Sequence, residues 1–84
     1  MAEPSLDELR ARIDGLDDRV LALLEERAGV VRDVARAKQS VGQPVWDPER
    51  ERALLDRLVA RASGHFPADA VRAVYREIMS ACLA

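Results

Sequence analysis

The sequence predicts an all-α chain of three helices, one very long and two short, that pairs with a second copy of itself. Three observations carry this. Apolar residues recur at alternating steps of three and four from Leu6 to Val41, with no proline between them, which is a helical seam of the coiled-coil kind. Two compact breaks, Gly42 to Pro44 and Ser63 to Pro67, cut the chain into one long stretch and two short ones. A chain of 84 residues has only a marginal core as a monomer, so the long seam needs cover from elsewhere. An extended monomeric array of the same three helices is the alternative.

The first helix starts at Ser5, an N-cap residue with Glu8 three positions on as its capping-box partner. Its seam runs Leu6, Leu9, Ile13, Leu16, Val20, Leu23, then resumes at Val30, Val34, Ala37 and Val41. A helix of that length spans roughly 50 Å. Gly42 and Pro44 end it. Asp47 is the next N-cap and Pro48 the first helical residue. The second helix runs to about Ala62, with Leu54, Leu55, Leu58 and Val59 on its apolar face. The third runs from about Ala68 to the end, with Val71, Val74, Tyr75, Ile78, Met79, Cys82 and Leu83 in one stripe. Each short helix is about 25 Å long, half the first. No repeat or low-complexity segment interrupts this pattern, and residues 1–84 read as a single domain.

Composition narrows the function classes. Apolar residues are 49% and charged residues 33% of the chain, which fits a globular or helical protein and argues against disorder. A net charge of −2 gives no electrostatic footprint for nucleic acid. No apolar run approaches the roughly 20 residues of a membrane span, and the acidic start "MAEPSLDELR" lacks the pattern of a secretion signal. The single Cys82 forms no intrachain disulfide, so a reducing compartment, the cytoplasm, is expected. No metal site is expected either, since no second Cys or His stands at ligand spacing. His65 lies in a breaker segment and reads as a loop residue. There is no glycine-rich phosphate loop and no nucleophile–base–acid set.

Several charges sit where apolar residues belong. Arg27 occupies the seam position between Leu23 and Val30. A buried guanidinium needs a partner. That partner is a carboxylate from another helix or an anionic ligand, whose carboxylate the planar fork grips bidentately; otherwise the side chain snorkels. Lys38 lies eleven residues on, about three turns, so both project from nearly the same face with Cα atoms about 16 Å apart. The space between suits a small dianion. Arg10 is about 25 Å from Arg27 along the same helix; it serves a site in another subunit or is a surface charge beside Asp14. Asp47, Arg50 and Glu51 crowd the start of the second helix. Acids there answer the helix dipole, which accounts for Glu49. Glu51 continues the apolar face of Leu55 and Leu58 and needs a donor, such as a ligand hydroxyl.

"LRARIDGLDDRVLALLEERAGVVRDVARAK", "PVWDPERERALLDRL" and "VRAVYREIMSACLA" resemble the all-helical class of chorismate mutase, over nearly the whole chain and in family order. The likeness is strongest to the mutase domain fused to prephenate dehydratase, so a dehydratase domain beyond Ala84 is a possible partner. The resemblance implies an intertwined homodimer of three-helix chains acting on chorismate. It implies that Arg27 binds a substrate carboxylate, that Arg10 reaches across from the other chain to bind one too, and that Lys38 contacts a carboxylate and the ether oxygen. Glu51 matches the residue that binds the substrate hydroxyl, Asp47 and Arg50 match pocket positions beside it, and Cys82 falls where many members carry a small polar residue, often Ser. The family also has a Gln or Glu one turn beyond Cys82 that bonds the ether oxygen; the sequence stops at Ala84, so that donor is either absent or belongs to a longer protein.

The implied reaction, chorismate to prephenate, is pericyclic and calls for no nucleophile, metal or cofactor. The protein's task is to hold a flexible dianion in its reactive conformer and to stabilise charge growing on the ether oxygen. Two rival readings remain at this level. Isochorismate pyruvate lyase shares the fold and the Arg and Lys residues, though the "DPERE" segment with Glu51 favours the mutase. A non-catalytic helical dimer or regulatory module predicts protein partners for Arg27 and Lys38 and no open pocket.

Overall fold

Local capping chemistry sets the helix boundaries. The structure, a computed structural model, describes residues 2–44 and 46–83, with Leu83 by its backbone alone. The expected place of the Leu83 side chain in the third helix's stripe therefore lies outside the described residues, as does Ala84.

Helix α1 spans Leu6–Ser40. Ser5 is extended (φ −71°, ψ 163°), and its hydroxyl accepts the Glu8 N–H at 3.1 Å. Asp7 and Glu8 in the first turn and Lys38 in the last oppose the helix dipole favourably. At the far end Gly42 takes φ +72°. The Gln43 N–H returns to the Lys38 carbonyl at 2.8 Å and the Gly42 N–H to the Gln39 carbonyl at 3.2 Å. This pair of bonds is the Schellman closure, and it pins the backbone of Lys38.

Helix α2 spans Pro48–Arg61 and α3 spans Ala68–Leu83. Asp47 caps α2 as expected, its carboxylate accepting the Arg50 N–H at 3.1 Å. Gly64, at φ +104°, lies in the turn that reverses the chain into α3.

Helix α3 packs against both α2 and α1. The buried core is Leu54 and Leu55 of α2 with Met79 of α3, and Leu58 and Tyr75 pack against it. Val74, expected in the α3 stripe, stays exposed.

The α1 seam is the main departure. Its large apolar residues are 39–67% exposed, and α1 contributes no buried residue. The face that α3 covers lies one step around the helix, at Leu24, Ala28, Val31 and Ala35, all half-buried. Residues 6–23 are exposed throughout, with no cover from the other described residues. The molecule is accordingly a rod of 60 × 23 × 18 Å with a radius of gyration of 16.8 Å, against about 12 Å for a compact chain of this length.

Candidate active site

The part of α1 from Arg27 to Lys38, the first turns of α2 and the end of α3 border an open cavity of about 300 Å³, the lower end of the usual range for small-molecule sites. Arg27 and Lys38 come from α1, Asp47, Arg50 and Glu51 from the start of α2, and Cys82 from α3. Of the residues singled out in sequence, these six share one site and Arg10 does not. Arg10 is exposed near the start of α1, and no ion pair to Asp14 forms.

Apolar walls complete the cavity: Val30, Val31 and Val34 of α1, Leu54 of α2 and Met79 of α3. Val30 and Val34 belong to the expected seam and Leu54 and Met79 to the core, and each also borders the site. Such walls exclude water from one side of a bound ligand and strengthen the charged contacts on the other.

Arg27 is half-buried and lies where the uncovered seam meets the face under α3. Its Nη1 donates to Cys82 Sγ at 3.3 Å. No carboxylate stands within 4 Å of it among the described residues, so within the chain Arg27 is not half of a buried ion pair. A thiol sulfur is a weak acceptor, so most of the guanidinium's five donors stay available to an anion. Lys38 is half-buried on nearly the same face.

The carboxylates are already committed. Asp47 caps α2. Glu51, half-buried, accepts the Trp46 indole N–H on Oε2 at 3.2 Å, so a protein donor meets the carboxylate for which the sequence suggested a ligand hydroxyl. Three cations thus line the cavity against two carboxylates that each hold a partner. Trp46 was not among the expected site residues. The signal for it was present: it stands at N′ of α2 and Glu51 at N4, the two positions that meet across a helix start.

Residues 9–84 match the family model described as chorismate mutase type II. The chain belongs to that family. Among its relatives, the bifunctional chorismate mutase/prephenate dehydratase of Aquifex aeolicus is 39% identical over 82 residues, 93% of this chain and 23% of that protein. The chorismate mutase of Methanocaldococcus jannaschii is 43% identical over 53 residues, 63% of this chain and 54% of that one. A solved structure of chorismate mutase from Thermus thermophilus superposes with a TM-score of 0.89 at 34% identity, covering 92% of this chain and 96% of that one. The chain spans about a quarter of the length of the bifunctional relatives.

Proposed function

We propose that residues 1–84 form one mutase domain that rearranges chorismate to prephenate as an intertwined homodimer. The observation that carries this reading is Arg27: a half-buried guanidinium in a small cavity, on one helix face with Lys38, meeting a thiol and no carboxylate among the described residues. Such a group is suited to an anionic ligand. The family membership supplies the ligand class, a dianion with an ether oxygen and a hydroxyl.

In this reading Arg27 holds a carboxylate bidentately and Lys38 faces the ether oxygen, where negative charge grows as the carbon–oxygen bond breaks. Glu51 accepts from the substrate hydroxyl, and Asp47 and Arg50 shape that wall. The bond that breaks and the bond that forms belong to one molecule, so fixing its compact conformer is most of the work.

The dimer reading rests on the uncovered seam. The chain exposes 7182 Å², against about 5,000 Å² for a compact chain of its mass. Covering that excess on two chains buries roughly 4,000 Å², within the obligate range of about 2,000–5,000 Å². Arg10 then lies on the stretch of α1 that pairs with the partner and contributes to the partner's site. A fused dehydratase domain, as in the bifunctional relatives, and residence in the cytoplasm belong to the same reading.

The test is purified protein with chorismate and, separately, with isochorismate, following loss of substrate and identifying the product. Prephenate is expected. Release of pyruvate from isochorismate in its place identifies the lyase, and no turnover of either substrate leaves a binding module.

A further inference from the structure

We infer that Trp46 is a positioning residue, whose indole N–H holds the Glu51 carboxylate in the orientation the cavity needs. The inference deepens the mutase reading and rests on it for the identity of the group that Glu51 meets.

The geometry begins with the chain. Asp47 is the N-cap of α2 and Pro48 its first residue. Proline restricts the residue before it to extended backbone, and Asp47 is extended at φ −136°, ψ 95°. The Asp47 carboxylate bonds the Arg50 N–H at 3.1 Å and its carbonyl the Glu51 N–H at 3.1 Å. The joint between Trp46 and the helix is therefore held at three points: a fixed ring, a side-chain cap and a backbone bond. Trp46 at N′ and Glu51 at N4 occupy the positions where an apolar pair usually staples a helix start. Here the pair is polar, indole N–H to carboxylate Oε2, at 3.2 Å.

An indole nitrogen only donates and an ionised carboxylate only accepts. The bond consequently sets which oxygen of Glu51 faces the indole, and leaves the other oxygen and one lone pair of Oε2 to accept elsewhere. Glu51 makes no other side-chain hydrogen bond and no ion pair among the described residues. Its remaining acceptor capacity is left for a hydroxyl donor in the cavity that both residues line. Packing within its own chain does not account for the tryptophan, since Trp46 is 62% exposed in the single chain. What its own chain offers the indole is one polar contact, from its nitrogen to a cavity carboxylate.

The proposal is tested with the intact chain in a double-mutant cycle. Trp46→Phe keeps a ring and deletes the donor. It is expected to lower kcat/KM for chorismate about tenfold, the scale of one hydrogen bond to a charged group. In a Glu51→Ala background the same change is expected to have almost no further effect, because the bond is already gone. A tryptophan that merely stiffens the loop gives equal losses in both backgrounds, and that result, or no loss at all, overturns the proposal. A second readout needs no turnover. Trp46 is the only tryptophan of the chain, so tryptophan emission reports the surroundings of this one ring. Glu51→Ala is expected to shift that emission with the far-ultraviolet circular dichroism unchanged; unaltered emission overturns the contact. If the wild-type chain leaves chorismate untouched, the mutase reading fails, while the emission experiment still decides whether Trp46 holds Glu51.

Discussion

Arg27 on α1 and Cys82 on α3, 55 positions apart in the chain, meet through a bond of 3.3 Å from Nη1 to Sγ. This contact links the cavity's guanidinium to the helix that packs on both others. It limits the directions the fork can take without satisfying it, so the residue at position 82 steers Arg27. Cys82→Ser retains an acceptor of similar reach, and its activity is expected to stay close to wild type. Cys82→Ala removes the acceptor and is expected to raise KM about twofold, the low end for one hydrogen bond, because the thiol is a weak acceptor. Steady-state kinetics of the two variants separates an acceptor role from simple packing, which serine and alanine serve alike.

Gly42 closes α1 at φ +72°. The left-handed conformation costs a side-chain-bearing residue about 1–2 kcal/mol, although a Cβ there meets nothing within 4 Å. Gly42→Ala is expected to lower the melting temperature by about 4–8 °C per kcal/mol lost. A melting curve that matches wild type removes the argument that the Schellman closure depends on glycine.

The helix boundaries were legible because their causes are local. Ser5 and Asp47 bond backbone N–H groups three residues on, and Gly42 and Gly64 stand where the chain turns with positive φ. The grouping of Arg27, Lys38, Asp47, Arg50, Glu51 and Cys82 followed from spacing and family likeness, and one cavity holds all six. The face of α1 that α3 covers was less legible. A seam with period 3.5 drifts slowly around a helix of period 3.6, so the seam and the covered face adjoin near Arg27. Pattern alone does not assign Leu24 and Val31 to the covered side and Leu23 and Val30 to the open side. The Arg27–Cys82 contact joins distant parts of the chain and leaves no local trace.

The open seam and the distance of Arg10 from the cavity give a joint prediction. Sedimentation at micromolar concentration is expected to show a species of twice the 9.3 kDa chain mass. Arg10→Ala and Arg27→Ala homodimers are each expected to lose activity. A heterodimer of the two variants has one site with both arginines and one with neither, so purified heterodimer is expected to regain about half of the wild-type rate, and a randomly paired co-expression mixture about a quarter, since such sites act independently when the residues are far apart. A verified heterodimer without recovery would falsify the shared site. A compact 9.3 kDa species in solution overturns the pairing itself.

Lys38 is the residue on which the proposed chemistry turns. Removing one preorganised donor from a developing oxyanion costs about 100- to 1000-fold in rate, so Lys38→Ala is expected to lower kcat by at least about 100-fold. The fold is expected to survive the change. The closure of α1 uses the Lys38 backbone carbonyl, which bonds the Gln43 N–H at 2.8 Å, and alanine retains that carbonyl and the best helix propensity of any residue. Lys38→Arg keeps the charge but presents a larger planar fork with a different aim, and only partial recovery is expected. A lysine that serves only the surface changes stability by no more than about 0.5 kcal/mol and leaves the rate alone. Measuring kcat beside a circular-dichroism melt for Lys38→Ala distinguishes the two: a large loss of kcat with the melt preserved supports the charge-stabilising role, and an unchanged kcat in a folded dimer removes Lys38 from the mechanism.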